Sequence, residues 1–283
     1  MSAVSIGLAQ LGTEPLEVEK NRLATVEAAQ QVFAAGADIV VLPEMAVPGY
    51  VTDARALGPI AESLEGPSTS EWQRVAAEHG GYIAGGFCER DGDGLYNTAV
   101  LVGPDGVLLH YRKLHLFAGE KGTFRPGNLG LPVGRTRFGT IGLCVCYDLR
   151  FVEVARILAL RGADVLCVPT AWLAGFDAER WDEGGMCPQA HGAVLQANLN
   201  QTFIACASQV GIHGDFEFLG SSLIADPYGK VVSGPLSGTA DDVVVAEIDV
   251  SAATRAQVRA PLIRPREDRR TDVYGLWNEG EVL

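Results

Sequence analysis

The sequence predicts an α/β fold in which sheets lie inside and helices outside. Short apolar runs that fit strands alternate with longer segments whose apolar residues recur at helical spacing. With 283 residues, 47% of them hydrophobic, the chain can bury a large core. Gly36-Ala37-Asp38 and Gly162-Ala163-Asp164 each follow a predicted helix and precede an apolar strand and a proline. This similarity predicts a single domain in which two similar halves face each other.

The first half contains both periodicities. In chain order its predicted elements are the strand 4–9, the helix 21–35, the strand 39–42, the helix 68–79 and the strands 82–87, 96–102 and 107–111. Gly36 and Gly80 end the two helices. The run 39–42 is entirely apolar, which is typical of a central strand buried on both faces. Pro104-Asp105-Gly106 predicts a hairpin turn between the last two strands.

The second half repeats this alternation. Its predicted elements are the strand 140–145, the helix 151–161, the strand 164–168, the helix 189–200 and the strands 203–208, 219–225, 230–233 and 243–248. The segment 264–277 is charged and contains proline, which favours a tail over a core element. We therefore predict a domain at 1–263 and a C-terminal tail at 264–283.

Composition excludes several classes of function. The formal net charge of −13 disfavours nucleic acid and anionic membrane surfaces as partners. The first 30 residues show no secretory signal, and no apolar run approaches 18 residues, so we expect a soluble cytoplasmic protein. A Gly-x-Ser-x-Gly elbow and a Gly-x-Gly-x-x-Gly loop are both missing, which disfavours a serine hydrolase and a dinucleotide-binding enzyme.

The six cysteines do not indicate disulfides, because a chain of this length without a secretory signal rarely forms them. No Cys-x-x-Cys pair exists, and the spacing of Cys144 and Cys146 suits zinc poorly. We expect most of the six to be small buried hydrophobic residues, among them Cys144, which falls within a predicted strand. No metal or organic cofactor is expected.

Three reactive side chains follow the ends of predicted strands. Glu44 follows 39–42, Lys113 follows 107–111 and Cys146 follows 140–145. In open α/β sheets the carboxyl ends of strands form the crevice where ligands bind. Together these residues supply a proton acceptor, a cation and a nucleophile. Since a cation and a helix N-terminus both favour a thiolate, we expect the pKa of Cys146 to be lowered.

These residues lie in segments that closely resemble the three motifs of the nitrilase, or carbon–nitrogen hydrolase, superfamily, in matching order and separation. The segments are Leu42-Pro43-Glu44, Tyr111-Arg112-Lys113-Leu114-His115-Leu116-Phe117 and Cys146-Tyr147-Asp148-Leu149-Arg150-Phe151. The resemblance extends to secondary landmarks at 124–127 and 227–229 and to the tail at 269–275, so it covers almost the whole chain.

The resemblance implies a four-layer αββα sandwich that dimerises, and a mechanism. Glu44 would take the thiol proton while Cys146 attacks an amide carbonyl. Lys113 and the backbone N–H of Tyr147 would hold the oxyanion. Departure of the amine would give a thioester on Cys146. Water activated by Glu44 would then hydrolyse this thioester. Glu120 matches a second glutamate of many members, which positions the lysine or the substrate.

Further candidates lie beside these motifs. Tyr50, Tyr147 and Trp172 are candidate substrate-binding residues, and the loop 175–186 is expected to contribute to the pocket. His115 is expected to be a structural histidine near the site. Asp148 and Arg150 are expected to form a structural pair after the nucleophile.

The favoured function is an amidase that releases ammonia from a small non-peptide amide. Members that act on nitriles usually carry Trp-Glu after the cysteine, whereas Tyr147-Asp148 follows here. A nitrilase and an N-carbamoyl-amine or amino-acid hydrolase stay as alternatives. A non-catalytic binding protein on the same fold is disfavoured by the intact Glu44, Lys113 and Cys146.

The family's dimer implies an apolar outer surface. The predicted helix 151–161 and the tail both carry apolar residues suited to it: Val154, Ile157, Leu158, Leu160, Val273, Tyr274, Leu276 and Trp277. We therefore expect a homodimer or higher homo-oligomer in which the tail crosses onto the partner subunit.

Overall fold

Two six-stranded sheets lie at the centre of the molecule, in a computed structural model that describes residues 3–282. In chain order the strands are β1 (Ala3–Gln10), β2 (Ile39–Val41), β3 (Tyr82–Asp91), β4 (Gly94–Gly103), β5 (Gly106–Arg112), β6 (Val133–Thr136), β7 (Gly139–Leu143), β8 (Val165–Thr170), β9 (Phe203–Ser208), β10 (Val210–His213), β11 (Phe216–Leu219), β12 (Leu223–Ala225), β13 (Val231–Ser233), β14 (Asp242–Asp249), β15 (Trp277–Asn278) and β16 (Glu281–Val282). The α-helices are α1 (Val18–Ala34), α2 (Ala54–Leu57), α3 (Pro67–His79), α4 (Val152–Leu160), α5 (Pro188–Asn200) and α6 (Ala252–Arg255).

The two sheets share one topology. The first has the order β14-β1-β2-β3-β4-β5 and the second β6-β7-β8-β9-β12-β13. Each has three adjacent parallel strands with antiparallel strands on both sides. Asp38 Oδ2 accepts a hydrogen bond from the backbone N–H of Ser5 (2.8 Å), and Asp164 Oδ2 accepts one from Thr140 (2.9 Å). In each half, the aspartate of the Gly-Ala-Asp segment therefore makes the same hydrogen bond to the backbone of a neighbouring strand.

Four layers pack around this pair of sheets. Val41 points between the sheets, into a cluster with Ile6 and Leu143, while Val40 points outward. This alternation is the period-2 pattern of a strand buried on both faces. Helices α1 and α3 cover the outer face of the first sheet, and α4 and α5 cover that of the second. The result is the αββα sandwich that the sequence motifs implied.

Most predicted elements lie within a few residues of the observed ones, and the differences have local causes. The predicted strand 219–225 is two strands, because Gly220 (φ 56°) and Ser221 (φ 57°) take left-handed conformations that interrupt strand pairing. The predicted strand 140–145 ends at Leu143. Cys144 is therefore not in the strand, although it is fully buried as expected. The short elements that were not predicted are α2, β6, β10, α6, β15 and β16.

The tail packs against its own chain. The Arg266 guanidinium donates to the carbonyl oxygens of Ala159 (2.8 Å), Asn200 (2.6 Å) and Gln201 (3.0 Å), at the C-terminal ends of α4 and α5. The C-terminal end of a helix carries partial negative charge, so a cation at this position stabilises it. That the tail also reaches a partner subunit stays a prediction. Over residues 3–282, every helix is too short or too polar to cross a bilayer.

Candidate active site

Three ionisable side chains from distant parts of the sequence form one fully buried cluster. The Lys113 ammonium donates to Glu44 Oε1 at 2.6 Å and to Glu120 Oε1 at 2.8 Å. The structure thus brings together the proposed base, the proposed oxyanion cation and the second glutamate. Removing charged groups from water is costly unless they are paired, and here each charge has a partner.

Backbone contacts fix the position of Glu44. It lies just beyond β2, and its N–H donates to the carbonyl oxygen of Thr170 (3.2 Å) at the end of β8. The Gln209 side-chain amide donates to the Glu44 carbonyl oxygen (2.8 Å). Because β2 and β8 belong to opposite sheets, Glu44 is held at the interface between the two sheets.

The second glutamate is held from three sides. Glu120 lies in the 3₁₀ helix Ala118–Gly122, and its Oε2 accepts the backbone N–H of Phe117 (2.9 Å). Its Oε1 accepts the Tyr50 hydroxyl (2.8 Å) as well as the Lys113 ammonium. Tyr50 therefore takes part in the charged cluster and also lines the pocket described below.

Asn97 is a member of the site that the sequence analysis missed. Its Nδ2 lies 2.7 Å from Glu44 Oε1 and 3.3 Å from Glu120 Oε1, and its carbonyl oxygen accepts the backbone N–H of Lys113 (2.8 Å). A buried asparagine in the mostly apolar strand β4 was the available signal. With Oε1 of Glu44 held by both Asn97 and Lys113, Oε2 has no hydrogen-bond partner within residues 3–282. That oxygen is the one open to accept a proton.

Cys146 lies on a tight turn after β7. It opens the 3₁₀ helix Cys146–Arg150 and has a φ of 47°, a left-handed conformation that is uncommon for a non-glycine residue. Such residues cost about 1–3 kcal/mol and concentrate at functional sites. Of the six cysteines, all within the described chain, only Cys146 is not fully buried. The turn thus presents its sulfur to the pocket.

The electrostatics correct one expectation. Burial raises the pKa of the Cys146 thiol, and the Glu44 carboxylate raises it further; Lys113 opposes this without overcoming it. The predicted lowering of this pKa was wrong, because the thiol is desolvated and lies beside an anion as well as a cation. The candidate nucleophile is therefore a neutral thiol at rest, and such a thiol needs a base in order to attack.

Glu44 is suited to be that base. Burial raises its pKa to about 7; Lys113 opposes the rise, and Glu120 adds to it. A general base works best when its pKa lies near the operating pH. For Lys113, burial acts to lower the pKa, but the carboxylates of Glu44 and Glu120 outweigh burial and raise it. The lysine therefore stays cationic.

Asp148 ties the cysteine turn to the lysine segment. Its Oδ2 accepts the Tyr111 hydroxyl (2.7 Å) and the backbone N–H of Val145 (3.1 Å). Its Oδ1 accepts the backbone N–H of His115 (3.0 Å) and lies 2.8 Å from His115 Nδ1. The expected Asp148–Arg150 pair is therefore wrong, because neighbours from β5 and the following loop already satisfy this buried carboxylate. His115 has the structural position that was expected.

A pocket opens in front of Cys146. Its walls are mostly apolar and aromatic, and they include all three candidate substrate-binding residues; the lining is Tyr50, Phe117, Cys146, Tyr147, Leu149, Arg150, Ala171, Trp172, Leu173, Phe176, Gln189 and Gly192. Phe176 comes from the loop 175–186, as expected. Arg150 and Gln189 were not foreseen as lining residues. The Arg150 guanidinium lies over the Phe176 ring, with its carbon 4.8 Å from the ring centre.

Comparison with known proteins agrees with this geometry. The carbon-nitrogen hydrolase family model matches residues 5–257. The chain is 36% identical to a nitrilase of Pyrococcus abyssi, over 96% of this chain and 99% of that protein. It is 32% identical to the omega-amidase NIT2 of Xenopus tropicalis, over 98% of both chains.

A solved structure extends the comparison to three dimensions. An amidase from Nesterenkonia sp. superposes with a TM-score of 0.77 at 26% identity, covering 95% of this chain and 94% of that one. A mutant of the amidase from Nesterenkonia sp. AN1, with the acetamide moiety of fluoroacetamide added covalently at its active-site cysteine, also gives a TM-score of 0.77, at 25% identity over 95% of both chains. The protein belongs to the carbon–nitrogen hydrolase family and is a nitrilase-superfamily, amidase-like hydrolase that acts on carbon–nitrogen bonds.

Proposed function

We propose that the protein hydrolyses a small non-peptide amide to a carboxylic acid and ammonia through a thioester on Cys146. The observation that carries this proposal is Oε2 of Glu44, which has no hydrogen-bond partner within residues 3–282 and belongs to a carboxylate whose pKa burial raises to about 7. This carboxylate in turn raises the pKa of the Cys146 thiol beside it. The thiol itself keeps its proton at neutral pH, so attack requires a base in this position.

In the first half-reaction, the Cys146 proton passes to Glu44 as the sulfur attacks the amide carbon. The resulting oxyanion is bound by Lys113 and by the backbone N–H of Tyr147. Two of the three ammonium protons of Lys113 face carboxylates, which leaves the third for substrate. The Tyr147 N–H makes no hydrogen bond to any part of the described chain. Glu44 then gives its proton to the nitrogen, the C–N bond breaks, and ammonia leaves.

In the second half-reaction, Glu44 takes a proton from water as the water oxygen attacks the thioester carbon. The same two donors bind the second oxyanion. The C–S bond then breaks, the thiolate recovers the proton from Glu44, and the acid leaves. Glu120 and Asn97 hold Glu44 and Lys113 in place throughout, without contacting the reacting atoms.

The test is an ammonia-release screen over short aliphatic amides, ω-amides of dicarboxylic acids, N-carbamoyl compounds and nitriles. We expect turnover of amides, and intact-protein mass spectrometry should show an acyl adduct that is lost in Cys146→Ala. Turnover of nitriles or N-carbamoyl compounds without amides would favour one of those alternatives. Hydrolysis that persists in Cys146→Ala would contradict the cysteine route.

A second candidate within this class is the ω-amide of a dicarboxylic acid. Among the described residues that line the pocket, Arg150 is the one cation, and a guanidinium suits recognition of a carboxylate. The omega-amidase relatives are consistent with such a substrate. Succinamate and valeramide, acidic and neutral amides of similar length, form the matched pair. If Arg150 binds the carboxylate, Arg150→Met should reduce kcat/KM for succinamate much more than for valeramide.

We also propose a homodimer. Three of the helix residues expected at this face, Val154, Ile157 and Leu158, are instead buried in the chain's own core, so that expectation was wrong. The exposed apolar residues of α4 and α5 are Val152, Leu195 and Leu199. Val152 and Leu199 line a groove with Leu276 of the tail, so helices and tail form one continuous face. Exposed apolar faces of this kind mark protein interfaces.

A cytoplasmic location stays a prediction of the sequence.

A further inference from the structure

Gln189 lines the pocket and carries a side-chain oxygen that lacks a hydrogen-bond partner among the described residues. This residue lies in the first turn of α5, and its Nε2 donates to the carbonyl oxygen of Leu173 (3.0 Å). Its Oε1 is buried and has no hydrogen-bond partner anywhere in the described chain. A flip that exchanges Oε1 and Nε2 of this amide is unfavourable. The Leu173 carbonyl oxygen can only accept a hydrogen bond, and after the flip it would face another oxygen.

An acceptor buried without a partner is disfavoured, and nearly all such groups in folded proteins are satisfied. Among the residues that line the pocket, Gln189 is the only one with a buried, unpaired side-chain oxygen in residues 3–282. Since the atom belongs to a pocket residue, a bound molecule is the natural source of the missing donor.

The wall that carries Gln189 begins at the nucleophile. Ala171 lies beside Cys146, because its backbone acts to lower the pKa of that thiol and both residues line the pocket. Two residues further along the same wall, Leu173 holds the Gln189 amide. A substrate whose carbonyl carbon lies at Cys146 and whose acyl chain follows this wall would reach Gln189 with the acyl part, not with the leaving nitrogen.

We propose that Gln189 determines specificity by accepting a hydrogen bond from an uncharged donor, a hydroxyl or an N–H, on the acyl chain of the substrate. This proposal rests on the amidase function proposed above. An ammonium donor is disfavoured because the cationic Arg150 lies on the same pocket wall. The substrate class is therefore a hydroxyl- or amide-substituted aliphatic amide.

Matched amides that differ by a hydroxyl in place of a methyl group test this proposal. The pairs are lactamide with isobutyramide, 3-hydroxypropanamide with butyramide, and 4-hydroxybutanamide with valeramide. For each pair, kcat/KM is measured in the wild type and in Gln189→Met, which keeps the shape of the side chain and removes the acceptor. Gln189→Leu serves the same purpose if the methionine variant does not fold. Gln196→Met is the control, because it changes a buried glutamine of the same helix outside this pocket.

At one chain length, the hydroxyl-to-methyl ratio of kcat/KM should fall about tenfold in Gln189→Met, which corresponds to about 1.4 kcal/mol. The ratio should not change in Gln196→Met, whatever happens to its absolute rate. Ratios that are equal in wild type and Gln189→Met at every chain length would overturn the proposal.

Absence of wild-type turnover with all six amides would instead contradict the amidase function. The inference is then decided by calorimetric binding of the same pairs to Cys146→Ala and to Cys146→Ala combined with Gln189→Met. Equal discrimination by the two proteins would overturn it, and a preference for hydroxyl lost with Gln189 would support it.

Discussion

Replacing Asn97 with leucine should shift the pH dependence of the reaction rather than simply lower its rate. The Asn97 amide donates to Glu44 Oε1 at 2.7 Å and so stabilises the charged form of the proposed base. Leucine has a similar shape and no donor. In the variant, Glu44 retains its ion pair with Lys113. The substitution therefore makes the Glu44 carboxylate less stable without leaving it unpaired.

The size of the shift follows from the hydrogen bond. A bond to a charged group contributes about 1.5–3 kcal/mol, which is roughly one to two pKa units. The pKa of Glu44, already raised to about 7 by burial, should therefore rise further. The base must be deprotonated, so activity increases as pH rises through this pKa. A variant shifted by one to two units should lose roughly 5- to 50-fold in kcat/KM at pH 7 and recover most of it at higher pH.

The assay is kcat/KM against pH, because this parameter reports the pKa values of the free enzyme. Thr98→Val is the matched control, since Thr98 is the next residue of β4 and its hydroxyl bonds to Glu89 instead of Glu44. The acidic limb of the kcat/KM against pH profile of Thr98→Val should stay near the wild-type position. If Asn97→Leu loses the same factor at every pH, with an unshifted limb, Asn97 does not act through the pKa of Glu44.

Three other outcomes are expected. Cys146→Ala should lower turnover more than about 10⁴-fold while circular dichroism stays native, and iodoacetamide should label Cys146 before the five buried cysteines; rapid labelling of Cys88 with activity retained would contradict this assignment. Asp148→Asn should lower the free energy of unfolding by about 2–4 kcal/mol in urea titrations, because the new amide faces several donors; a change no larger than that of the exposed control Glu153→Gln would refute the structural role. Deleting residues from Arg264 onward should weaken the dimer and lower activity, and a truncated protein that sediments as a fully active dimer would show the tail to be dispensable.

The sequence by itself determined the class of fold and the chemical inventory of the site. Strand and helix periodicities are local, because each follows from which side of an element is buried, so the alternation of elements could be read from the chain. The three motifs also identified Glu44, Lys113 and Cys146 by residue type, order and spacing, and the family membership they indicated is confirmed.

Tertiary structure decided which groups lie next to which. Gln209 bonds to Glu44 across 165 positions of sequence, and Asn97 bonds to it across 53, so no local pattern could reveal either contact. Asp148 was expected to pair with Arg150, two residues away in sequence, yet its side-chain partners, Tyr111 and His115, come from another strand and loop. Side-chain contacts depend on how the sheets stack, which is a property of the whole core.

Burial also decided the charge state of the nucleophile. A cysteine near a lysine and a helix start suggested a lowered pKa from sequence, but desolvation and the Glu44 carboxylate raise it. The balance depends on how much water the folded chain excludes and on distances between charges, and neither is written in residue order. The sequence therefore determined which reactive groups are present, and the packing of two sheets determined which of them is placed to act as the base.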